Sequence, residues 1–346
     1  MRLSHRASAW LHQRCRPLKR GLLEFRAAAY AKTAQRIPIR GRESTGPATL
    51  VEISKDASGA LCIAADSSWL RSRDGFSTAW RRLGVFVDLL ASRSVPEGSW
   101  RADLADWVEP TGAVAGFCST HTDTRLVPDR GFFRSAGYAK QRRLAAQATD
   151  WFRRRPVVVW RGGPNGRGCQ STATMDWQDN RLVQRIRLCL LGRQLMANNQ
   201  TAGLQVDFRL SSVCRHDAAA ATSMRNAGIV GPYIPSEAWL NHRFAIDIDG
   251  YANAFTNFFT RLLYGCCVLK VASPGGFRQW YYDRLIPWTH FVPIAADLTD
   301  LGEKIRWCAA NPATCRRIAE AGQAIAFSMT YRSERQQAIE RLAAAA

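Results

Sequence analysis

The clearest pattern of apolar positions lies between residues 241 and 293. Arg243 to Ile248 is an apolar-rich run typical of a buried strand, and Gly250 interrupts it two residues later. From Ala252 the apolar positions recur at helical spacing, as Phe255, Phe258, Phe259, Leu262 and Leu263. The run CCVLKV that follows Gly265 is short, β-branched and typical of a buried parallel strand. The pattern therefore predicts a βαβ unit of a doubly wound sheet.

Short strands and helices alternate along most of the rest of the chain. Further strands are predicted at 50–54, 61–65, 100–107, 112–119, 156–168 (running into a glycine-rich loop), 204–210 and 291–294. Helices are predicted at 76–90, 140–154, 174–197, 235–240 and 297–312, the last with Asp297 as its N-cap, and 125–138 is predicted as a loop. Strands that alternate with helices from end to end predict an α/β fold.

Length and composition narrow the class of protein. The chain has 346 residues, enough for two domains, and 47% of them are hydrophobic, which predicts a globular protein. No apolar run is long enough for a transmembrane helix, and the N-terminus lacks the apolar segment of a secretory signal. The ten cysteines form no CxxC pair, which favours buried reduced thiols and a cytoplasmic location.

The formal net charge of +20 favours anionic partners. Nucleotide diphosphates, phosphorylated glycolipids, an anionic membrane and nucleic acid all fit that charge, and it does not choose among them. Residues 1–43 predict one or two basic amphipathic helices. Such an arm could lie on an anionic membrane, or it could pack on the domain with a solvated basic face.

Two acidic segments could carry chemistry. Asp247 and Asp249 end a predicted strand, where side chains two residues apart point the same way and could hold a divalent metal. The simpler interpretation is that one of them caps the next helix and the other forms a salt bridge. Asp106 also ends a predicted strand and could act as a general base on a sugar hydroxyl, with Asp103 and Glu109 as nearby competitors.

Two further segments could contact phosphate. Arg161 opens a glycine-rich loop with Gly162 and Arg167, and glycine lets the backbone approach a phosphate that an arginine binds. This loop matches neither the P-loop nor the dinucleotide-binding pattern, so a surface loop is the alternative. The turn from Asp249 to Asn253 precedes a predicted helix, whose free amides suit a phosphate.

Four separated motifs stand out along the chain: LVPDRGFF, VVVWRGGPNGRG, HRFAIDIDGYANAFTNFFTRLLYGCCVLKV and QWYYDRLIPWTHFVPIAADLTDLGEKIRW. They resemble glycosyltransferase family 90, in the order in which that family carries them. The resemblance runs from about Trp100 to Tyr331. It implies a GT-B-like fold, in which two Rossmann-like domains form an inter-domain cleft that holds the active site.

On this resemblance we expect an acceptor-side domain at 44–155 and a nucleotide-sugar-binding domain at 156–332. A basic helical arm at 1–43 would precede them and a C-terminal helix at 333–346 would follow. The resemblance also implies inverting transfer from a UDP-sugar, with no required metal and no cofactor. Asp106 before Trp107 matches the family's catalytic aspartate.

Arg161 matches the family arginine that faces the donor phosphates. A second arginine of the animal members falls near Thr256, where this chain has none, so other basic residues are candidates for that contact. The predicted donor-binding residues are Arg161, Gly162, Arg167, Arg243, Asp249, Gly250, Asn253, Lys270 and His290.

The expected acceptor is a lipopolysaccharide core or other glycan, reached by a bacterial enzyme at the inner membrane face, with no nucleic acid as partner. Two alternatives stay open from the sequence. One is a metal-dependent GT-A-type transferase that uses Asp247 and Asp249. The other is a non-enzymatic anion-binding module.

Overall fold

A computed structural model describes residues 37–43, 46–68, 79–108, 114–214 and 216–344. Its strands are β1 (Ile39–Arg42), β2 (Leu50–Lys55), β3 (Leu61–Asp66), β4 (Gly98–Asp103), β5 (Ala115–Gly116), β6 (Arg125–Leu126), β7 (Arg155–Gly162), β8 (Gln205–Leu210), β9 (His242–Asp247), β10 (Cys267–Val271) and β11 (Val292–Ile294). Its α-helices are α1 (Ala79–Leu90), α2 (Arg130–Arg134), α3 (Ala139–Ala146), α4 (Gln184–Ala197), α5 (Ala218–Asn226), α6 (Asn257–Leu263), α7 (Leu301–Ala310), α8 (Pro312–Ser328) and α9 (Tyr331–Ala343). Short 3₁₀ helices lie at Trp151–Arg153, Ser236–Asn241 and Tyr282–Arg284.

The chain divides into two compact units. Unit 1 comprises Met1–Phe133 and Arg332–Ala346, and unit 2 comprises Arg134–Tyr331. Residues 134–155 pack within unit 2, and the domain boundary predicted at residue 155 stays a prediction. The Tyr138 ring lies 5.5 Å from that of Phe259 in α6, and Arg154 donates a hydrogen bond of 2.7 Å to the Tyr264 carbonyl.

Unit 1 contains, within the described residues, a six-stranded mixed sheet in the order β1-β3-β2-β4-β5-β6. Strands β2 and β3, both predicted as strands, form an antiparallel hairpin, and the Asp56 carboxylate fixes its turn by accepting hydrogen bonds from the amides of Ser58 and Ala60. Helix α1 presents buried leucine and phenylalanine side chains at helical spacing, and its Phe86 ring lies 5.1 Å from that of Phe117. The core of unit 1 therefore lies between this helix and the sheet.

Unit 2 contains, in the part of the chain that is described, a five-stranded parallel sheet in the order β11-β10-β9-β7-β8. Every residue of β10 is buried, as the continuous apolar run CVLKV predicts for a central parallel strand. The chain places β8 on one side of β7 and β9 on the other. The strand order therefore reverses at β7, which makes the carboxyl ends of β7 and β9 the topological switch point of the sheet.

The predicted α/β class and the predicted βαβ unit, now β9-α6-β10, are confirmed. The GT-B-like arrangement of two domains stays a prediction. No helix of the described residues has the length and apolar character that crossing a membrane requires.

Two helices begin later than predicted. Helix α4 begins at Gln184 rather than Thr174. The residues before it form turns instead, because the carboxylates of Asp176 and Asp179 accept hydrogen bonds from nearby backbone amides. Helix α6 begins at Asn257 rather than Ala252, because residues 249–256 form successive tight turns.

Other element predictions need correction. Strand β4 ends at Asp103 rather than residue 107, and the loop predicted at 125–138 contains β6 and α2. Asp297 does not cap a helix: its carboxylate accepts hydrogen bonds from the Thr299 amide and hydroxyl, and α7 begins only at Leu301. Residues 39–42 of the predicted helical arm form β1, which pairs in parallel with β3. The rest of that arm, residues 1–36, lies outside the described residues.

Candidate functional site

A cavity of about 450 Å³ lies at the switch point of unit 2. The loops that follow β7, β9, β10 and β11 line it, together with the beginning of α4. The side chains that matter below are Arg167, Arg187, Asp249, Tyr251 and Phe277. This is the place where open parallel sheets bind their ligands, and the volume suits a small molecule.

Arg185 forms hydrogen bonds with two of the loops that line the cavity. Its Nε donates a 2.8 Å hydrogen bond to the carbonyl of Asp249, and its Nη2 donates a 3.2 Å bond to that of Ile248. Its Nη1 reaches the Gly163 carbonyl at 3.4 Å, so one guanidinium joins the loop after β7 to the turn after β9. Burial lowers the pKa of Arg185, while the nearby carboxylates of Asp247 and Asp249 act in the opposite direction.

Two glycines make this close packing possible. A Cβ on Gly250 would lie 3.2 Å from a guanidinium nitrogen of Arg185, which already fills the space beneath the turn. Gly168 has a φ of +120° and approaches the Arg181 backbone so closely that a Cβ would lie 2.6 Å from its carbonyl oxygen. The glycine-rich loop is thus pinned to the segment before α4.

Positive charge lies around the cavity. Arg167 is exposed, with its guanidinium 5.8 Å from the centre of the Phe277 ring. Arg187 donates hydrogen bonds to the carbonyls of Trp177 and Asp297, which hold its side chain at the cavity wall. Helix α4 begins at the cavity, and no side chain caps its amino end. Arginines beside the amino end of a helix form an environment that attracts phosphate.

A buried charge network lies at the ends of β9 and β10. Lys270 Nζ lies 2.8 Å from Asp247 Oδ2 and 3.2 Å from Asp249 Oδ1. Burial alone lowers the pKa of Lys270, but the two carboxylates outweigh burial and leave that pKa above its ordinary value. Asn253 and Asn257 donate further hydrogen bonds to the same carboxylates. Asp249 is therefore held rigidly where it lines the cavity.

Six of the nine predicted donor residues lie at one edge of the sheet, in three groups. Arg167, Asp249 and Gly250 line the cavity. Asn253 and Lys270 contact Asp249 instead, and both are buried. Gly162 ends β7 and leads into the cavity loop without lining the cavity. These three groups lie on the same edge of the sheet.

Arg161 is near this edge, but its guanidinium is committed elsewhere. It forms an ion pair of 2.7 Å with Asp207 of β8 and donates to the carbonyls of Asp207 and Pro232. Its side chain is only 6% exposed and does not line the cavity. In this structure Arg161 joins β7 to β8 and to the 230–233 loop.

Arg243 and His290 are not brought to the cavity. Arg243 lies at the amino end of β9, about 13 Å from Asp247 at the usual rise of a strand, and donates to the Trp151 and Phe152 carbonyls. His290 precedes β11 rather than following it, and its Nδ1 accepts a 2.9 Å hydrogen bond from the Ile286 amide. Burial lowers the pKa of His290. The sequence identifies these two residues as an arginine and a histidine, but it does not show at which end of a strand each of them lies.

The acidic candidates of unit 1 lie in and after β4. Asp103 is buried, and its Oδ1 accepts hydrogen bonds from the Thr49 hydroxyl (2.7 Å) and the Ala105 amide (2.9 Å). Asp106 lies in the bend that follows the strand, with its side chain 48% exposed and ion-paired to Arg82. Glu109 lies outside the described residues. Asp106 is thus the accessible carboxylate of the two that are described.

The Asp247 and Asp249 pair surrounds an ammonium group in this structure. Both carboxylates contact Lys270, which takes the place that a cation would take between them. Within the described ranges, no group of three or more histidine, cysteine or acidic side chains is arranged to hold a metal ion.

Arg185, Arg187 and Tyr251 are not among the site residues predicted from the sequence. An arginine in a helix without a clear apolar face is usually interpreted as a solvent-exposed residue. In addition, the predicted start of α4 lies ten residues before the observed one. The true start places Arg185 in the first turn, where a cation opposes the helix dipole and needs a specific contact. A correct helix start would therefore have singled it out.

Unit 2 is thus a doubly wound α/β unit with a ligand-sized cavity at its switch point, where Arg167 and Arg187 lie beside the amino end of α4. The family model described as "Glycosyl transferase family 90" matches residues 137–331, which is more than half of the chain and nearly all of unit 2. The chain belongs to glycosyl transferase family 90.

Several proteins of viruses and animals are similar to this chain. An uncharacterized protein of Invertebrate iridescent virus 6 is 32% identical over 193 residues, which is 54% of this chain and 16% of that protein. A Frog virus 3 protein is 27% identical over 258 residues, 72% of this chain and 24% of that protein. Protein O-glucosyltransferase 3 of Rattus norvegicus is 35% identical over 86 residues, 25% of this chain and 16% of that protein. The chain spans about a quarter or less of these relatives.

On the hypothesis that the cavity holds a nucleotide diphosphate, with UDP as the probe, replacing Arg185 by glutamine is expected to weaken binding about tenfold or more. The variant loses charge-assisted hydrogen bonds worth roughly 1.5–3 kcal/mol each, and both cavity loops lose their common anchor. Isothermal titration with UDP measures the affinity, and thermal unfolding reports the fold. Arg181→Gln is the matched control, because Arg181 is an exposed neighbour whose side chain pairs with Asp179. Equal affinities of the two variants would contradict the role of Arg185.

Proposed function

We propose that this protein is an inverting glycosyltransferase that moves a sugar from a UDP-sugar to a hydroxyl group of a glycan acceptor. Membership of glycosyl transferase family 90 supports glycosyl transfer as the class of reaction. The observation that carries the donor half of the proposal is the cavity at the switch point of unit 2, where two arginines lie beside the amino end of α4.

The donor diphosphate would lie at the amino end of α4, near Arg167 and Arg187. As the bond to the sugar breaks, negative charge develops on the diphosphate, and cationic groups fixed in advance stabilise it. Arg187 is suited to this task because two backbone carbonyls already hold it. Arg185 would act indirectly, by keeping both loops in place.

Asp106 is proposed as the general base of the transfer step. The acceptor hydroxyl gives its proton to the Asp106 carboxylate, and its oxygen bonds to the anomeric carbon from the face opposite the diphosphate. The bond from that carbon to the UDP oxygen breaks, and its electron pair stays on the diphosphate. The exposed carboxylate of Asp106 is accessible to an acceptor, whereas that of Asp103 is committed to protein donors.

The acceptor is proposed to be an anionic glycan, such as a lipopolysaccharide core. A net charge of +20 favours a phosphorylated acceptor over a neutral one, and also favours peripheral contact with an anionic membrane. The animal relatives are named protein O-glucosyltransferases, so glucose is the first sugar to test and protein hydroxyls are the competing acceptors.

A panel of nucleotide sugars tests the proposal directly. The full chain is incubated with each sugar nucleotide, with and without EDTA, and release of UDP is measured with and without added glycans. We expect one UDP-sugar to be consumed, with an inverted product and unchanged activity in EDTA. Consumption of none of them would overturn the proposal, and activity restored only by added manganese would favour Asp247 and Asp249 as metal ligands.

Tyr251→Ser is expected to weaken UDP binding by roughly 5- to 20-fold, the worth of about 1–2 kcal/mol of ring contact. The Tyr251 ring is 49% exposed on the cavity rim, where it can stack against a base or a sugar. Tyr233→Ser is the control, because Tyr233 is 73% exposed and does not line the cavity. Fluorescence titration with UDP measures both, and an equal effect of the two changes would contradict a specific contact.

A further inference from the structure

The turn that carries Asp106 has an anchor on a neighbouring helix. Arg82 lies in the first turn of α1, and its side chain is only 16% exposed. Its Nη1 donates a 2.9 Å hydrogen bond to the Leu104 carbonyl, and its Nη2 donates to Asp106 Oδ1. One guanidinium therefore binds the backbone at the start of the turn and the carboxylate at its end.

This arrangement leaves one carboxylate oxygen of Asp106 available. Within the described residues, Asp106 Oδ1 accepts from Arg82 and Oδ2 has no hydrogen-bond partner. An exposed aspartate on a bend would otherwise sample several rotamers, and only some of them would present an oxygen to an acceptor hydroxyl. The rigid fork of an arginine limits that freedom in a way that a single ammonium group cannot.

We propose that Arg82 is the positioning residue of the general base: it fixes the Asp106 turn and orients its free carboxylate oxygen for proton abstraction. This inference rests on the proposed function of Asp106. Neighbouring features do not supply the same anchor. Asp103 fixes the beginning of the turn through the Ala105 amide and the Thr49 hydroxyl, and these hydrogen bonds do not include the Asp106 side chain.

The test uses the full chain and UDP-glucose, with UDP release as the measure of turnover. Arg82→Gln is expected to lower kcat about 10- to 100-fold, the usual size of an effect from misplacing a catalytic group. The KM for UDP-glucose and the Kd for UDP should stay within about twofold, since Arg82 lies in the other unit from the donor cavity. Arg81→Gln, an exposed neighbour on the same helix, should behave as the unchanged protein.

A double variant separates positioning from general support of the fold. If Arg82 acts through Asp106, adding Arg82→Gln to Asp106→Asn should cause no further loss beyond about twofold. Guanidinium ion at millimolar concentration should restore part of the turnover of Arg82→Ala. If Arg82→Gln does not fold, Arg82→Lys takes its place, and it should lose several-fold in kcat because one ammonium cannot reach both acceptors.

Multiplicative losses in the double variant, or an equal loss in Arg81→Gln, would overturn the role of Arg82. So would a normal kcat in folded Arg82→Gln when Asp106→Asn is impaired. That last outcome leaves the proposed base intact. Normal turnover by Asp106→Asn would instead show that the proposed base itself is wrong.

Discussion

Lys270→Ala is expected to lower the free energy of unfolding of unit 2 by about 3–5 kcal/mol. The change removes the ammonium group that lies within 3.2 Å of two buried carboxylates, and it leaves their negative charges facing each other without the cation that contacts both of them. Urea unfolding followed by tryptophan fluorescence measures the loss. The shape of the cavity in unit 2 should change as well, because Asp249 lines this cavity and is held in position by Lys270.

Two further variants make this prediction specific. Lys140→Ala removes an ion pair of 2.6 Å with Glu237, but both partners are exposed, so the free energy of unfolding should barely change. Adding Asp247→Asn to Lys270→Ala should recover part of the stability, because it removes one of the two unpaired charges. If Lys270→Ala lowers the free energy of unfolding as little as Lys140→Ala does, water or structural relaxation already screens the charges of the two buried carboxylates.

The pH dependence of the stabilisation by Lys270 follows from the direction of its pKa shift. The two carboxylates raise the pKa of Lys270 above 10.5, so the stabilisation is fully present below that pH. It is lost only as the pH rises through the higher pKa of the folded state. The contribution of Lys270 should therefore be constant across the physiological range.

The strands of unit 2 could be predicted from the sequence because burial determines their pattern. Strand β10 is buried on both faces, so it is an unbroken apolar run, and β9 shows the same signal up to Asp247. The residues at which helices begin were harder to predict from the sequence. Where α6 begins depends on the turns formed by residues 249–256, and these depend on Arg185, which is distant in sequence.

The candidate site could be predicted only in part, for a related reason. The glycine-rich loop and the Asp249-Gly250 turn carry local signals, and both lie at the cavity. Which arginine serves a ligand is decided by the strand end it occupies and by its existing partners. Arg161 is engaged by Asp207, and Arg243 lies at the far end of β9, and neither fact can be read from residue type.

The domain boundary predicted at residue 155 follows from the resemblance and stays a prediction. The contacts in the structure group residues 134–155 with unit 2. Tyr138, just before α3, packs its ring against that of Phe259 in α6. Arg142 donates to the Ala326 and Met329 carbonyls, which fixes α3 to the end of α8.

Asp106→Asn is expected to lower transfer by roughly 100-fold or more, the usual worth of a general base. Asparagine keeps the shape of the side chain and can still accept a hydrogen bond from Arg82, but it cannot take the acceptor's proton. UDP binding should change by less than about twofold, since the donor cavity is built from residues of unit 2. Initial rates of transfer and UDP titration together give both quantities.

Asp103→Asn is the matched comparison, because it changes the same type of residue three positions earlier on the same segment. Asp103 is buried and bound by Thr49 and Ala105, so its loss should lower stability, and transfer only as far as the Asp106 turn moves. If Asp106→Asn transfers at a near-normal rate while Asp103→Asn is inactive and folded, the base is Asp103. If both folded variants transfer normally, the proton goes to a group outside the described turn, and Glu109 becomes the next residue to replace.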